Sequence, residues 1–141
     1  MLELDPEQLD AGWRDLVRAA GQARGNAYCP YSNYRVGAAL LCAGGEVVTG
    51  ANVENAAYGS TICAERAALV AANARGLREF ERLVVSVEGK PAAPCGACRQ
   101  MLHEFATIRG SALEVLLHGQ GAEVLHLTSV EELLPYGFGL G

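Results

Sequence analysis

The stretch CAERAALVAANARGLREFERLVVSVEGKPAAPCGACRQMLHEFA, residues 63–106, decides the fold. It reads as helix, strand, helix. Residues 64–76 are rich in strong helix formers and end on Arg75-Gly76, a basic last turn followed by the glycine that commonly closes a helix. Leu83–Val87 reads as a strand, residues 88–94 as a loop, and Cys95 to about Ala106 as a second helix. A thiol stands at each helix start: Cys63 at the first, Cys95 and Cys98 at the second.

Moving upstream, Arg35–Cys42 and Glu46–Asn52 are apolar stretches joined by Ala43-Gly44-Gly45, which predicts a β-hairpin. Before them, Asp5, Pro6 and Gln8 make a capping-box-like start, and Leu9, Trp13, Leu16, Val17 and Ala20 repeat at helical spacing up to about Gly25. Downstream, Leu113–His118 and Glu123–Leu127 read as closing strands. The order α-β-β-α-β-α-β-β, with each β-α-β stretch expected to join parallel neighbours by a right-handed crossover, predicts an α/β fold: a mixed five-stranded sheet covered by helices. Ligands of such sheets gather at the carboxyl ends of parallel strands, where helix N-termini also converge. No repeat, linker or low-complexity segment divides the chain, so residues 1–141 are expected to form one domain.

Composition narrows the function classes. A chain of 141 residues buries about two thirds of its surface on folding, and 50% hydrophobic with 19% charged residues is globular rather than disordered. The formal net charge is -5, from 11 basic and 16 acidic residues, and Lys90 is the lone lysine. No basic stripe for a polyanion is present, which argues against nucleic acid as a partner. The N-terminal stretch MLELDPEQLDAGW carries acids where a secretory signal needs an apolar run behind positive charge, and no apolar segment approaches the roughly 18 residues of a membrane helix. A soluble, cytoplasmic protein without membrane contact is expected. Its five cysteines, odd in number and unevenly spaced, suit metal or catalytic thiols better than disulfides.

Cys95-Gly96-Ala97-Cys98 behind Pro94 sets two thiols about one helical turn apart, which alone fits a redox pair, a structural zinc half-site or a catalytic half-site equally. Cys63-Ala64-Glu65 breaks the tie. A third thiolate with no credible fourth protein ligand leaves one position of a tetrahedral zinc open for water, and Glu65, two residues from a ligand, is placed to shuttle protons beside it. Three thiolates around Zn²⁺ sum to -1, which opposes ionisation of bound water; two helix N-termini aimed at the sulfurs and a hydrogen bond from Arg66 to a ligand sulfur would withdraw that charge. Three ligands, a non-ligand glutamate and P-C-x-x-C together are the pattern of the zinc nucleobase deaminases. Cys29 and Cys42 lie outside it and read as small buried hydrophobes; His103, His118 and His126 show no ligand-like spacing and receive no catalytic role.

Five blocks in order, YCPYSNYRVGAAL (28–40), TGANVENAAYG (49–59), TICAERAAL (61–69), APCGACRQMLHEF (93–105) and EELLPYGF (131–138), resemble the small-subunit cytidine deaminases. The resemblance implies a three-layer α/β/α fold, a homotetramer with sites shared between subunits, and one zinc per subunit. The implied reaction is hydrolytic deamination of cytidine and deoxycytidine to uridine and deoxyuridine, with release of ammonia, in pyrimidine salvage. By the same resemblance Cys63, Cys95 and Cys98 are the zinc ligands, and Glu65 carries protons to N3 of cytosine and then to the departing amino group. Asn52 and Glu54 hold the sugar hydroxyls, Ala64 contacts the substrate, Tyr34 stacks on the pyrimidine, and Tyr58 and Phe138 reach a neighbouring subunit's site. This sequence departs from the family pattern at Tyr34, commonly Phe, and at Ala93, commonly Ser before Pro94-Cys95. The nearest alternative is another free-base or nucleoside deaminase on the same scaffold, for instance one resembling the blasticidin S deaminases, which the sugar-binding Asn/Glu pair of NVEN disfavours; a polynucleotide-editing deaminase is disfavoured by the acidic charge balance. From other classes, a structural zinc module would need a fourth ligand, and a thiol redox protein would need neither Cys63 nor Glu65.

Overall fold

A computed structural model describes residues 1–121 and 125–140. The elements, in chain order, are β1 (Leu2–Leu4), α1 (Ala11–Arg24), β2 (Val36–Cys42), β3 (Val47–Ala51), α2 (Ala64–Ala74), β4 (Phe80–Glu88), α3 (Gly96–Arg109), β5 (Glu114–Gln120), β6 (Leu125–Ser129) and α4 (Val130–Leu133). The strands form one mixed sheet in the order β1-β6-β5-β4-β2-β3. Six strands replace the expected five. The additional one, β1, is a three-residue edge paired antiparallel to β6, too short for periodicity to reveal. The Glu123 end of the expected last strand lies outside the described residues, and the described part, β6, begins at Leu125.

The hairpin forms as expected, with Leu41 opposite Val47 and Gly45 taking the left-handed φ of 97° at its tip. One expectation about pairing is corrected. The crossover β3-α2-β4 does not join sheet neighbours, because β2 sits between them and pairs antiparallel with both. Among the described strands only β4 and β5, joined through α3, are parallel and adjacent. β2 is the strand that can fill this place, since it is apolar and buried along most of its length.

The first helix also starts later than expected. Gln8 does accept from the Asp5 backbone N–H at 2.7 Å, but that box opens only a single 3-10 turn at Pro6–Gln8. Asp10 is the N-cap of α1, accepting from Trp13 N–H at 2.8 Å. Trp13, Leu16 and Ala20 then pack on Ala39, Val84 and Leu116 across one face of the sheet. On the other face α2 and α3 place Ala64, Ala68, Leu69, Leu102 and Ala106 against Leu40, Leu83, Val85 and Val115. The result is three layers. Gly50 sets how closely α2 approaches, because a Cβ there would meet Ala64 O and Ala68 N at 2.5 Å.

Candidate active site

Two helix starts converge at the carboxyl end of β4, and each is capped by a cysteine. Cys63 is the N-cap of α2 and Cys95 the N-cap of α3, both with extended backbone. Their carbonyls accept the first helical bonds, from Ala67 N–H at 3.0 Å and Arg99 N–H at 2.9 Å. Cys98, one turn into α3, is buried. Cys63 Sγ lies 3.9 Å from Cys95 Sγ, Cys95 Sγ lies 3.6 Å from Cys98 Sγ, and all three sulfurs are within 4.8 Å of one another. Among the described residues no fourth potential ligand joins this cluster. Thiols this close share charge: hydrogen bonding from Cys98, with help from Arg66 and Cys95, pulls the Cys63 thiol well below its ordinary range, and the same pairing with burial pushes Cys98 up.

Arg66, in the first turn of α2, donates from Nη2 to Cys63 Sγ at 3.7 Å and to Thr61 O at 3.2 Å. Its Nε is buried without a partner. A guanidinium held against a thiolate in this way offsets part of its negative charge. The donor set fits zinc: three soft thiolates converge, two helix N-termini and one arginine face them, and one coordination position is left for something other than protein.

Glu65 is 4% exposed and lines the same cavity as Cys63 and Cys95. Burial, reinforced by the negative sulfur of Cys63, raises its pKa above the ordinary carboxylate range. A carboxyl so placed takes up and gives back a proton readily. The cavity has a volume of about 230 Å³ and is largely apolar, with Val36, Val85, Val87 and Ala92 in its walls. Tyr34, Asn52, Ala64 and Ala93 line it too.

The strip carrying Asn52 and Glu54 is fixed by its own backbone. Tyr28 N–H donates to Asn52 O, Glu54 N–H donates to Tyr28 O, and Val53 and Ile62 exchange both bonds at 2.9 Å. Asn52 does more than line the cavity: its Oδ1 accepts from Val36 N–H at 2.9 Å and its Nδ2 donates to Tyr34 O at 2.8 Å. It splints the backbone on either side of Arg35 and keeps one N–H and one lone pair in hand. The Glu54 carboxylate is not part of the cavity wall. It accepts from Tyr31 and Ser32 N–H at 3.0 and 3.1 Å and from the Ser32 hydroxyl at 2.5 Å, bonds that hold its pKa below the usual range.

Tyr58 and Phe138 are not brought to the cavity of this chain; they are 86% and 69% exposed. Sequence reasoning did not single out Thr61, which also lines the cavity, nor Arg99, which donates to Pro94 O at 2.7 Å and to Leu133 O at 2.9 Å. The signal for Arg99 was its place next to Cys98, but its two carbonyl partners lie 5 and 34 residues away and leave no mark in local spacing.

Residues 13–112 match the family model for the cytidine and deoxycytidylate deaminase zinc-binding region. A cytidine deaminase of Halalkalibacterium halodurans is 45% identical over 124 residues, covering 87% of this chain and 91% of that protein. One from Mycobacterium tuberculosis is 42% identical over 137 residues, covering 93% and 92%. Among solved structures, cytidine deaminase from Burkholderia pseudomallei superposes with a TM-score of 0.80 at 47% identity, over 89% of this chain and 98% of that one.

Proposed function

The chain belongs to the cytidine and deoxycytidylate deaminase family, and we propose that as one domain over residues 1–141 it hydrolyses cytidine and deoxycytidine to uridine and deoxyuridine with release of ammonia. Cys63, Cys95 and Cys98 hold the family's zinc in this reading. Bound there, the metal supplies Lewis-acid activation of water at neutral pH. Glu65 accepts the proton that the water gives up, delivers it to N3 of the pyrimidine, and later hands a proton to the amino group that leaves as ammonia. Its burial keeps the carboxyl's proton affinity high enough for both transfers. Arg66 holds the Cys63 sulfur in place and offsets its charge.

The remaining residues bind and orient. Tyr34 offers a ring face to the pyrimidine, Ala64 contacts it at the start of α2, and Val36, Val85, Val87 and Ala92 exclude bulk water. Asn52 has hydrogen-bonding capacity left for a sugar hydroxyl after its two backbone bonds. Glu54 shares that task from the rim, where Ser32 keeps its carboxylate ionised and ties it to the loop that carries Tyr34. Tyr58 and Phe138 complete the site of a neighbouring copy, in a homotetramer; their exposure in the single chain supports this. Pyrimidine salvage in the cytoplasm is the setting that suits free thiols and a nucleoside substrate. No helix among the described residues is long and apolar enough to cross a membrane.

One observation carries the reading: three sulfurs within 4.8 Å of one another share a cavity edge with a buried glutamate. Ammonia release from cytidine, deoxycytidine, cytosine, adenosine and cytidine monophosphate tests it. Turnover of the first two alone is expected. Preference for adenosine or for the monophosphate would overturn the substrate assignment.

A further inference from the structure

The C-terminal segment after α4 is fastened to α3 by its backbone while its side chains face outward. Gln100 Nε2 donates to Phe138 O at 3.0 Å. Gly137 rests against the His103 imidazole so closely that a Cβ would lie 2.7 Å from Nε2 and 2.8 Å from Cδ2 and Cε1. Tyr136, just before them in the chain, has φ 57°, a left-handed conformation that a tyrosine keeps only when its surroundings hold it. Arg99 ties the root of the segment, Leu133 O, to the carbonyl of Pro94 just ahead of Cys95. Yet Tyr136, Phe138 and Leu140 are all exposed. Docking that buries none of these large side chains does nothing for the core of this chain; what it produces is a fixed position for the Phe138 ring.

We propose that Gln100 and His103 on α3, with Gly137 as the matching small residue, are positioning residues for Phe138, holding it ready for the nucleoside site of a second copy of this chain. The inference rests on the role given to Phe138 above. Because the segment is ordered before association, less conformational freedom is lost when the ring meets a bound base. A free tail would deliver the same aromatic ring with lower occupancy, so the effect belongs in substrate affinity and not in the chemical step.

The test is steady-state kinetics on cytidine with the zinc-loaded enzyme, comparing Gln100→Ala, Gln100→Glu, Gly137→Val and Phe138→Ala singly and in combination. Stacking of an aromatic ring on a base corresponds to roughly 5- to 150-fold in affinity, so Phe138→Ala should raise KM within that range. Gln100→Ala and Gln100→Glu, which both lose the donor N–H, and Gly137→Val, which drives a branched side chain into the imidazole, should each raise KM by part of that, about three- to tenfold, with kcat near wild type. In the Phe138→Ala background none of them should add anything. If Phe138→Ala raises KM but the seat variants do not, or if they add fully to it, the positioning role is wrong while the role of Phe138 stands. If Phe138→Ala leaves KM unchanged, the reading of Phe138 fails first and the seat fails with it. Gln100→Ala removes only an exposed hydrogen bond, so it decides the matter even if Gly137→Val does not fold.

Discussion

Replacing Glu65 by Gln keeps side-chain volume in a buried position and removes only the ability to carry a proton. Glu65 is 4% exposed in the wall that also holds Cys63 and Cys95, where among the described residues no other carboxylate lines the cavity to act in its stead. A positioned acid or base contributes roughly 10²- to 10⁴-fold, and here one carboxyl serves N3 and the leaving amine in turn, which places the loss at the upper end. A 10⁴-fold fall in kcat corresponds to about 5.4 kcal/mol of activation free energy. KM should move little, because the amide keeps the shape of the cavity. Stability should respond in the opposite direction. The folded-state pKa of Glu65 lies above its unfolded value, so its favourable contribution is full below the unfolded pKa and is lost as pH rises through the folded one. At pH 8 the Gln variant should therefore unfold at or above the wild-type midpoint. The assay is loss of cytidine absorbance, run beside zinc analysis of the same sample. A Gln variant with zinc bound and kcat within tenfold of wild type would refute the proton-carrying role.

Other expectations follow from single contacts. Arg66→Gln removes the guanidinium bond to Cys63 Sγ and should weaken zinc about 10- to 100-fold in competition with a metallochromic chelator; unchanged affinity would leave Arg66 without the role given to it. Gly50→Ala puts a methyl 2.5 Å from Ala64 O and Ala68 N, backbone atoms that cannot swing aside, and should cost about 1–3 kcal/mol in urea unfolding; a midpoint equal to wild type would mean that α2 is free to shift. His118 is half-buried with Nδ1 2.9 Å from Ser86 Oγ, and burial, then the charge of Arg24, lowers its pKa. A depressed folded pKa means stability is held above about pH 6.5 and lost as pH falls below it, so His118→Asn should lose less stability than wild type between pH 8 and 5; equal losses would contradict the assignment.

Much of the architecture is legible in the chain because it is local. The helix over residues 64–76 announces itself by composition and ends where Arg75 and Gly76 say it should, with α2 closing at Ala74 and Gly76 at φ 77°. The hairpin is set by two apolar stretches and by the two glycines between them. Sheet order is different, since nothing near β3 or β4 records that β2 lies between them; that follows from which strand can be buried on both edges. At the N-terminus two aspartates five residues apart each offer a cap, and the apolar positions Leu9, Trp13, Leu16 and Ala20 fit a helix begun from either. The tertiary structure chooses Asp10, where Arg82 also reaches the carboxylate at 3.3 Å.

For the site, the three thiols and Glu65 were readable because each lies at a helix start and spacing fixes where such residues point. The structure brings them together. Less readable was the double duty of Asn52, whose amide braces the backbone at Tyr34 and Val36, and the diversion of Glu54 to Ser32, both made by partners about twenty residues away. The apolar lining from β4 was also hidden, because Val85 and Val87 read as ordinary core residues until the loop before Cys95 folds over them.

X-ray absorption at the zinc edge of the protein as purified addresses the metal assignment directly. Three sulfurs at about 2.3 Å and one oxygen at about 2.0 Å, with one zinc per chain, is the expected shell. Four protein ligands around the zinc, or a shell that keeps three sulfurs when Cys63 is replaced by Ala, would contradict it.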